Sequence, residues 1–367
     1  MSYTDVVPLL LALEDQGPHR QELNARWESG QLGIYGVGYQ AGPSLKDIVV
    51  HMHNEVNNTH PTNYNIIATL EGEIDDEVVI LGNYRDAWTA GAGDPGSDSA
   101  ALMEIVRAFG AVVQRGGGLD ARFSLLAGMD MRPNWEWLRN RTVAYVDIMG
   151  AVMGSQFFAK ASPLLASLVR DVTQQQPSVN QSVAGQTVLD SWGRSVVVGD
   201  GGDALSFMGD GIPMLTLGFG HDKAIDPAFH WHSAFDTVQW MDRFADPSWE
   251  YHVRAAQIWG LMAARHAGDP VLPFNMTEYV TVVRGIVDDV QDVIEGRHDG
   301  FFIGLEPLNQ AVAQLYHAAI EFDAHVVHLR HPRVIQPRHP KFTALTTSIK
   351  NSSSISGPIW KRTQTPT

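Results

Sequence analysis

The chain has no cysteine among its 367 residues, so neither disulfide bracing nor thiolate metal ligands enter its chemistry. Positive charge is scarce as well: 26 Lys and Arg stand against 41 Asp and Glu, for a net charge of −15. A surface of that sign repels phosphate backbones and anionic headgroups, which argues against a general nucleic-acid or membrane binder. No apolar run is long enough to span a bilayer, and Met1-Ser2-Tyr3-Thr4-Asp5 shows no basic stretch leading into an apolar one, so no signal peptide is read there. The expectation is a soluble cytoplasmic protein. Asn57-Asn58-Thr59 and Asn275-Met276-Thr277 are then chance sequons.

What is present suits a globular fold. Hydrophobic residues make up 44% and charged residues 18%, enough to bury one large core or one core plus a small satellite. Residues 64–70 and Val78–Leu81 read as neighbouring strands split by the acidic turn 71–77. Leu102, Ile105, Val106, Phe109 and Val113 recur at helical spacing before Gly116-Gly117-Gly118. Short apolar strands follow at 123–127, 143–148 and 214–218, then a helix opened by Asp246-Pro247. This alternation predicts an α/β fold, with a mixed, mainly parallel sheet flanked by helices. Near the C-terminus two amphipathic helices are predicted, one facing inward through Tyr279, Val282, Val283, Ile286, Val287, Val290 and Ile294. The other uses Leu308, Val312, Leu315, Ala319, Phe322 and Val326. Residues 336–367 carry five Lys or Arg and no acid, are rich in Ser, Thr and Pro, and read as a disordered tail.

In open α/β sheets the chemistry gathers at the carboxyl ends of the strands. Those ends here read Asn83-Tyr84-Arg85-Asp86-Ala87-Trp88, a loop to Gly93-Asp94-Pro95-Gly96, then Gly128-Met129-Asp130-Met131 and Tyr145-Val146-Asp147-Ile148-Met149. Phe229-His230-Trp231-His232-Ser233 follows further on. This series resembles the glutamate carboxypeptidase and transferrin-receptor family, whose pattern is roughly G-H-R-D-[SA]-W, a loop to D-P, E-E, a later Asp and a distal Y-H-S. The resemblance runs over most of residues 1 to about 330. It implies a zinc-aminopeptidase-like fold and a pair of zinc ions held by two His and three carboxylates, with a Glu base.

Carried over position by position, the resemblance puts Asp94 at the bridging Asp and His232 at the distal His. Tyr84 stands where the first His belongs and Asp130 at the general base. Met131 and Met149 replace the ligand Glu and Asp. Two ligands are fewer than the three that catalytic zinc sites use, and a thioether suits softer metals, so no metal and no cofactor are expected. Asp147 offers a carboxylate about 6–7 Å along the strand from Met149. The resemblance divides the chain into 1–45, the end of a protease-associated domain with its lead-in; 46–270, the peptidase-like domain; 271–335, a shortened helical domain; and the tail 336–367. The family's membrane anchor is expected to be missing, and its Arg patch would fall on the uncharged Thr216 and Gly218. Its dimer uses the helical domain, which leaves a homodimer open here.

The plain alternatives stand beside these roles. Asp94 in a Gly/Pro loop also suits a turn. His230 and His232 also suit packing, Tyr84 a strand-end aromatic against Trp88, and the methionines core filler. Taken together, Tyr84, Asp94, Asp130 and His232 form an acid/base group within an apolar wall of Trp88, Met131, Met149 and Trp231. The expected partner is an apolar small molecule, with cyclisation, isomerisation or elimination as the chemistry. A catalytically silent binding or scaffold protein is the competing expectation, and a residual one-metal hydrolase the third.

Overall fold

The computed structural model describes residues 3–23, 32–47, 49, 51–60, 62, 64–115, 121–127, 135–193, 196–198, 204–269, 271–296 and 303–329. It divides into two units, Met1–Thr62 and Asn63–Thr367. The first holds α1 (Tyr3–Leu11) and two short 3₁₀ turns, Arg20–Glu22 and Leu32–Tyr35.

The second unit is built on a seven-stranded sheet: β1 (Ile66–Leu70), β2 (Ile74–Asn83), β3 (Ala121–Ala127), β4 (Thr142–Val152), β5 (Gln156–Ala161), β6 (Val197–Val198) and β7 (Met214–Gly220). Their spatial order is β1-β3-β2-β4-β7-β5-β6. The β2–β3, β2–β4, β4–β7 and β5–β6 pairs are parallel, while β1–β3 and β5–β7 are antiparallel. The mixed, mainly parallel sheet read from the alternation is therefore present.

Both faces are covered because the inner strands are apolar at odd and even positions alike. On one face Val79, Leu81, Val146, Ile148, Leu215 and Leu217 pack with residues of α2 (Ser97–Gln114), α4 (Ala166–Gln174), α5 (Val188–Trp192) and α8 (Glu250–Gly268). On the other, Val78, Ile80, Tyr145 and Met214 meet α3 (Trp135–Arg139) and α6 (Ala204–Gly209) through Leu138, Ala204 and Phe207. Trp259 of α8 is fully buried and its indole N–H donates to the Val146 carbonyl at 3.2 Å, tying helix to sheet. The short α7 (Val238–Trp240) precedes α8. The antiparallel-packed pair α9 (Met276–Glu295) and α10 (Glu306–Leu329) ends the described chain. Among the described residues no helix is long and apolar enough to cross a membrane.

Three local expectations are corrected. The first two strands are not neighbours, because β3 inserts between them. The residues taken as an acidic turn mostly extend β2, which starts at Ile74 and gains parallel partners on both edges. In α9 the inward stripe is Val280, Val283 and Val287, and Tyr279, Ile286 and Val290 are exposed. Val280 and Val287, one heptad apart, pack with Val312 and Ala319 of α10, with Val283 partly buried between them. The tail 336–367 lies outside the described residues.

Candidate functional site

Three segments converge beyond the carboxyl edge of the sheet: Tyr84 after β2, the turn Ala92–Gly96 leading into α2, and the loop 229–237 after β7. The turn is packed closely. A Cβ on Gly93 would lie 2.6 Å from the Phe229 ring and 2.7 Å from Met241, so a side chain there would push the turn away from the loop.

Asp94 is the centre of the site and is buried, at 5% exposure. Its Oδ1 accepts a hydrogen bond from the Tyr84 hydroxyl. Its Oδ2 accepts one from the Trp231 indole N–H and lies 3.1 Å from His232 Nε2. Burial, and then the bond to Asp94, raise the Tyr84 phenol above its ordinary range, so it stays protonated. His232 lies between two indoles, stacked on Trp88 at 5.2 Å and 4.0 Å from Trp231. Its φ of 56° is left-handed, a conformation a non-glycine residue keeps only where its surroundings hold it. Its Nδ1 has no hydrogen-bond partner among the described residues.

A second layer holds these groups. The buried Asp236 carboxylate accepts the N–H of Gly93 at 2.7 Å and that of Asp94 at 3.1 Å. Burial raises the Asp236 pKa. The Thr89 hydroxyl donates to the Ser233 carbonyl at 2.6 Å, a further link from the strand-end loop to the His232 loop. Asp98, in the first turn of α2, accepts the N–H groups of Gly150 and Ala151, where β4 bulges and Gly150 takes φ 70°. Neither Asp98 nor Asp236 stands out in the sequence. An acid in a helix's first turn is the only local signal for Asp98, and Asp236 has none beyond its turn setting.

The structure therefore brings together Tyr84, Asp94, Trp231, His232 and, through stacking, Trp88. Asp147 is buried nearby on β4, facing the Tyr145 and Thr216 hydroxyls at 3.3 Å, and its charge reaches Tyr84. Met149 is half-buried on the same strand. His230 turns to Phe235 and Trp240 instead of Asp94. Trp88 does not pack on Tyr84 but on His232, and both Trp88 and Trp231 are exposed, at 77% and 63%, so they form an open face and not a closed wall. Asp130 and Met131 lie outside the described residues. Among the described residues no group of three or more His, Asp or Glu is arranged to hold a metal ion.

Residues 65–255 match the model for peptidase family M28. A probable glutamate carboxypeptidase of Arthroderma benhamiae is 33% identical over 298 residues, covering 76% of this chain and 40% of that protein. The probable glutamate carboxypeptidase LAMP1 of Arabidopsis thaliana is 32% identical over 280 residues, covering 71% and 40%. A Schizosaccharomyces pombe protein named an inactive zinc metalloprotease is 25% identical over 273 residues, covering 71% and 33%. The chain spans about two-fifths of the length of the first two relatives. With the family pattern matched over more than half of its residues, the chain belongs to peptidase family M28.

Proposed function

We propose that this chain is a non-hydrolytic member of its family, whose cleft works without zinc. In this reading it takes an apolar small molecule against the exposed faces of Trp88 and Trp231, with His232 as the acid/base group. The observation that carries the reading is the occupation of Asp94. A carboxylate that bridges two cations must offer lone pairs from both oxygens, and here those oxygens accept from Tyr84 and Trp231 and face His232. An indole N–H is a donor only, and a phenol held protonated is a poor ligand. The donor set suits a hydrogen-bonded network and does not fit a zinc pair. The relative named an inactive zinc metalloprotease is in keeping with this.

With Nε2 turned to Asp94, the Nδ1 of His232 is left to exchange a proton with a ligand. Acid/base assistance of this kind is worth roughly 10²–10⁴-fold. That suits a cyclisation, isomerisation or elimination already favourable, and falls short of peptide hydrolysis. The openness of the tryptophan face also favours a second reading, a silent pseudopeptidase that binds without turnover.

The test offers the purified chain zinc, removes the excess by dialysis, and measures bound metal together with hydrolysis of acidic dipeptides. Expected are no stoichiometric zinc and no hydrolysis, with quenching of tryptophan fluorescence by some members of a panel of apolar compounds. About one zinc per chain with dipeptide hydrolysis, both lost in His232→Ala, would overturn the reading. Quenching without any chemical change in the quencher would select the second.

A further inference from the structure

We infer that Asp236 is a positioning residue of the site: its carboxylate sets the distance between Asp94 and His232. The inference holds whatever the site binds. Asp236 belongs to the same loop as His232, four residues later, and its two oxygens receive the consecutive N–H groups of Gly93 and Asp94 from the facing turn. A carboxylate gripping two adjacent backbone donors fixes both the position and the orientation of the peptide between them. That peptide carries Asp94 itself. The same side chain therefore joins the backbone of one member of the pair to the loop of the other.

Other features agree with a clamp. Asp236 is 1% exposed, so solvent does not compete for its oxygens. Its own carbonyl accepts the Ala92 N–H at 3.2 Å, and its N–H donates to Ser233 at 3.1 Å, which holds the His232 loop in register. His232 sits in left-handed backbone, a conformation the loop must retain for Nε2 to lie 3.1 Å from Asp94. Burial and the charge of Asp94 oppose ionisation of Asp236, while the two N–H groups and His232 favour it. Asp98 supplies the comparison: it is equally buried and also grips two consecutive N–H groups, but those belong to β4.

The experiment reads the His232 ring directly. The full chain is labelled with ¹⁵N-histidine, and the imidazole signals of its 15 histidines are recorded. His232→Gln assigns the signal, and Asp94→Asn defines its position when the pair is broken. Asp236→Ala removes both contacts, and Asp236→Asn keeps one acceptor while turning an amide against the other N–H. The expected result is a His232 signal moved toward the Asp94→Asn position, further in Asp236→Ala than in Asp236→Asn, with folding retained by circular dichroism. Asp98→Asn should lower thermal stability yet leave the His232 signal in place. If Asp236→Ala does not fold, Asp236→Asn alone decides. An unmoved His232 signal in a folded Asp236 variant, or an equal movement in Asp98→Asn, overturns the inference and leaves Asp236 as a brace.

Discussion

Replacing Asp98 with asparagine sets two physical effects against each other. The side chain is fully buried and accepts the N–H of Gly150 at 3.0 Å, that of Ala151, and the Ser97 hydroxyl at 3.2 Å. Those donors favour the carboxylate. Burial, helped by the nearby Asp94, favours the acid and pushes the pKa from 3.8 up to about 8. A folded-state pKa above the unfolded one means that the folded chain keeps a proton the unfolded chain has released. The resulting stabilisation is fully present below about pH 4, falls as the pH rises, and is gone above about pH 8. One proton corresponds to about 1.4 kcal/mol per pH unit, which over roughly pH 5 to 7 amounts to a few kcal/mol. Asparagine is neutral throughout and lacks the slope. Urea unfolding of both proteins across this range, compared as a difference, cancels the other titrating groups. The advantage of the native chain over Asp98→Asn should shrink by about that amount. Parallel curves would refute the reasoning, because they would mean that the three donors outweigh burial and keep Asp98 ionised.

Two further outcomes follow from Asp94 and His232. Tyr84→Phe removes the hydroxyl from Asp94 Oδ1 with little change in shape, and is expected to cost about 1–3 kcal/mol, nearer the lower figure because Tyr84 is half-buried. The measurement is the urea midpoint at unchanged slope, and no shift would show that the bond contributes nothing. His232→Gly should be more stable than His232→Ala by about 1 kcal/mol, since both lose the ring but only glycine takes φ 56° freely. Equal melting temperatures would show that the loop relaxes out of the left-handed region once the ring is gone.

The sheet and its covering helices were legible because burial on both faces makes inner strands such as Val78–Leu81 and residues 143–148 apolar throughout, whatever their neighbours. Pairing order was not, since nothing in β1 or β2 records that β3, fifty residues on, inserts between them. Helical periodicity located α9 but not its inward stripe, which depends on which side its neighbours lie. In the site, Tyr84 was read at the end of a strand and Asp94 and His232 through the resemblance to the family pattern, and Asp94 and His232 do meet. The stacking of Trp88 on His232 and the grip of Asp236 were not, because contacts spanning 142 to 144 residues leave no local pattern.

The buried acids bear on whether such a cleft is self-consistent without zinc. A buried carboxylate is costly unless its oxygens are supplied with donors, and a cation pair is one way to supply them. Here the chain supplies them itself: Asp94 from Tyr84 and Trp231; Asp98 from Gly150, Ala151 and Ser97; and Asp236 from the N–H groups of Gly93 and Asp94. Asp147 lies between the hydroxyls of Tyr145 and Thr216. Asp98 also reduces its charge by holding a proton. A carboxylate placed at Met149 would add an acid, half-buried, on the strand that carries Asp147. On the reading proposed, zinc therefore could not be regained one residue at a time: a ligand added alone raises the electrostatic cost of the cleft, and Tyr84 and Trp231 would still occupy the oxygens of Asp94.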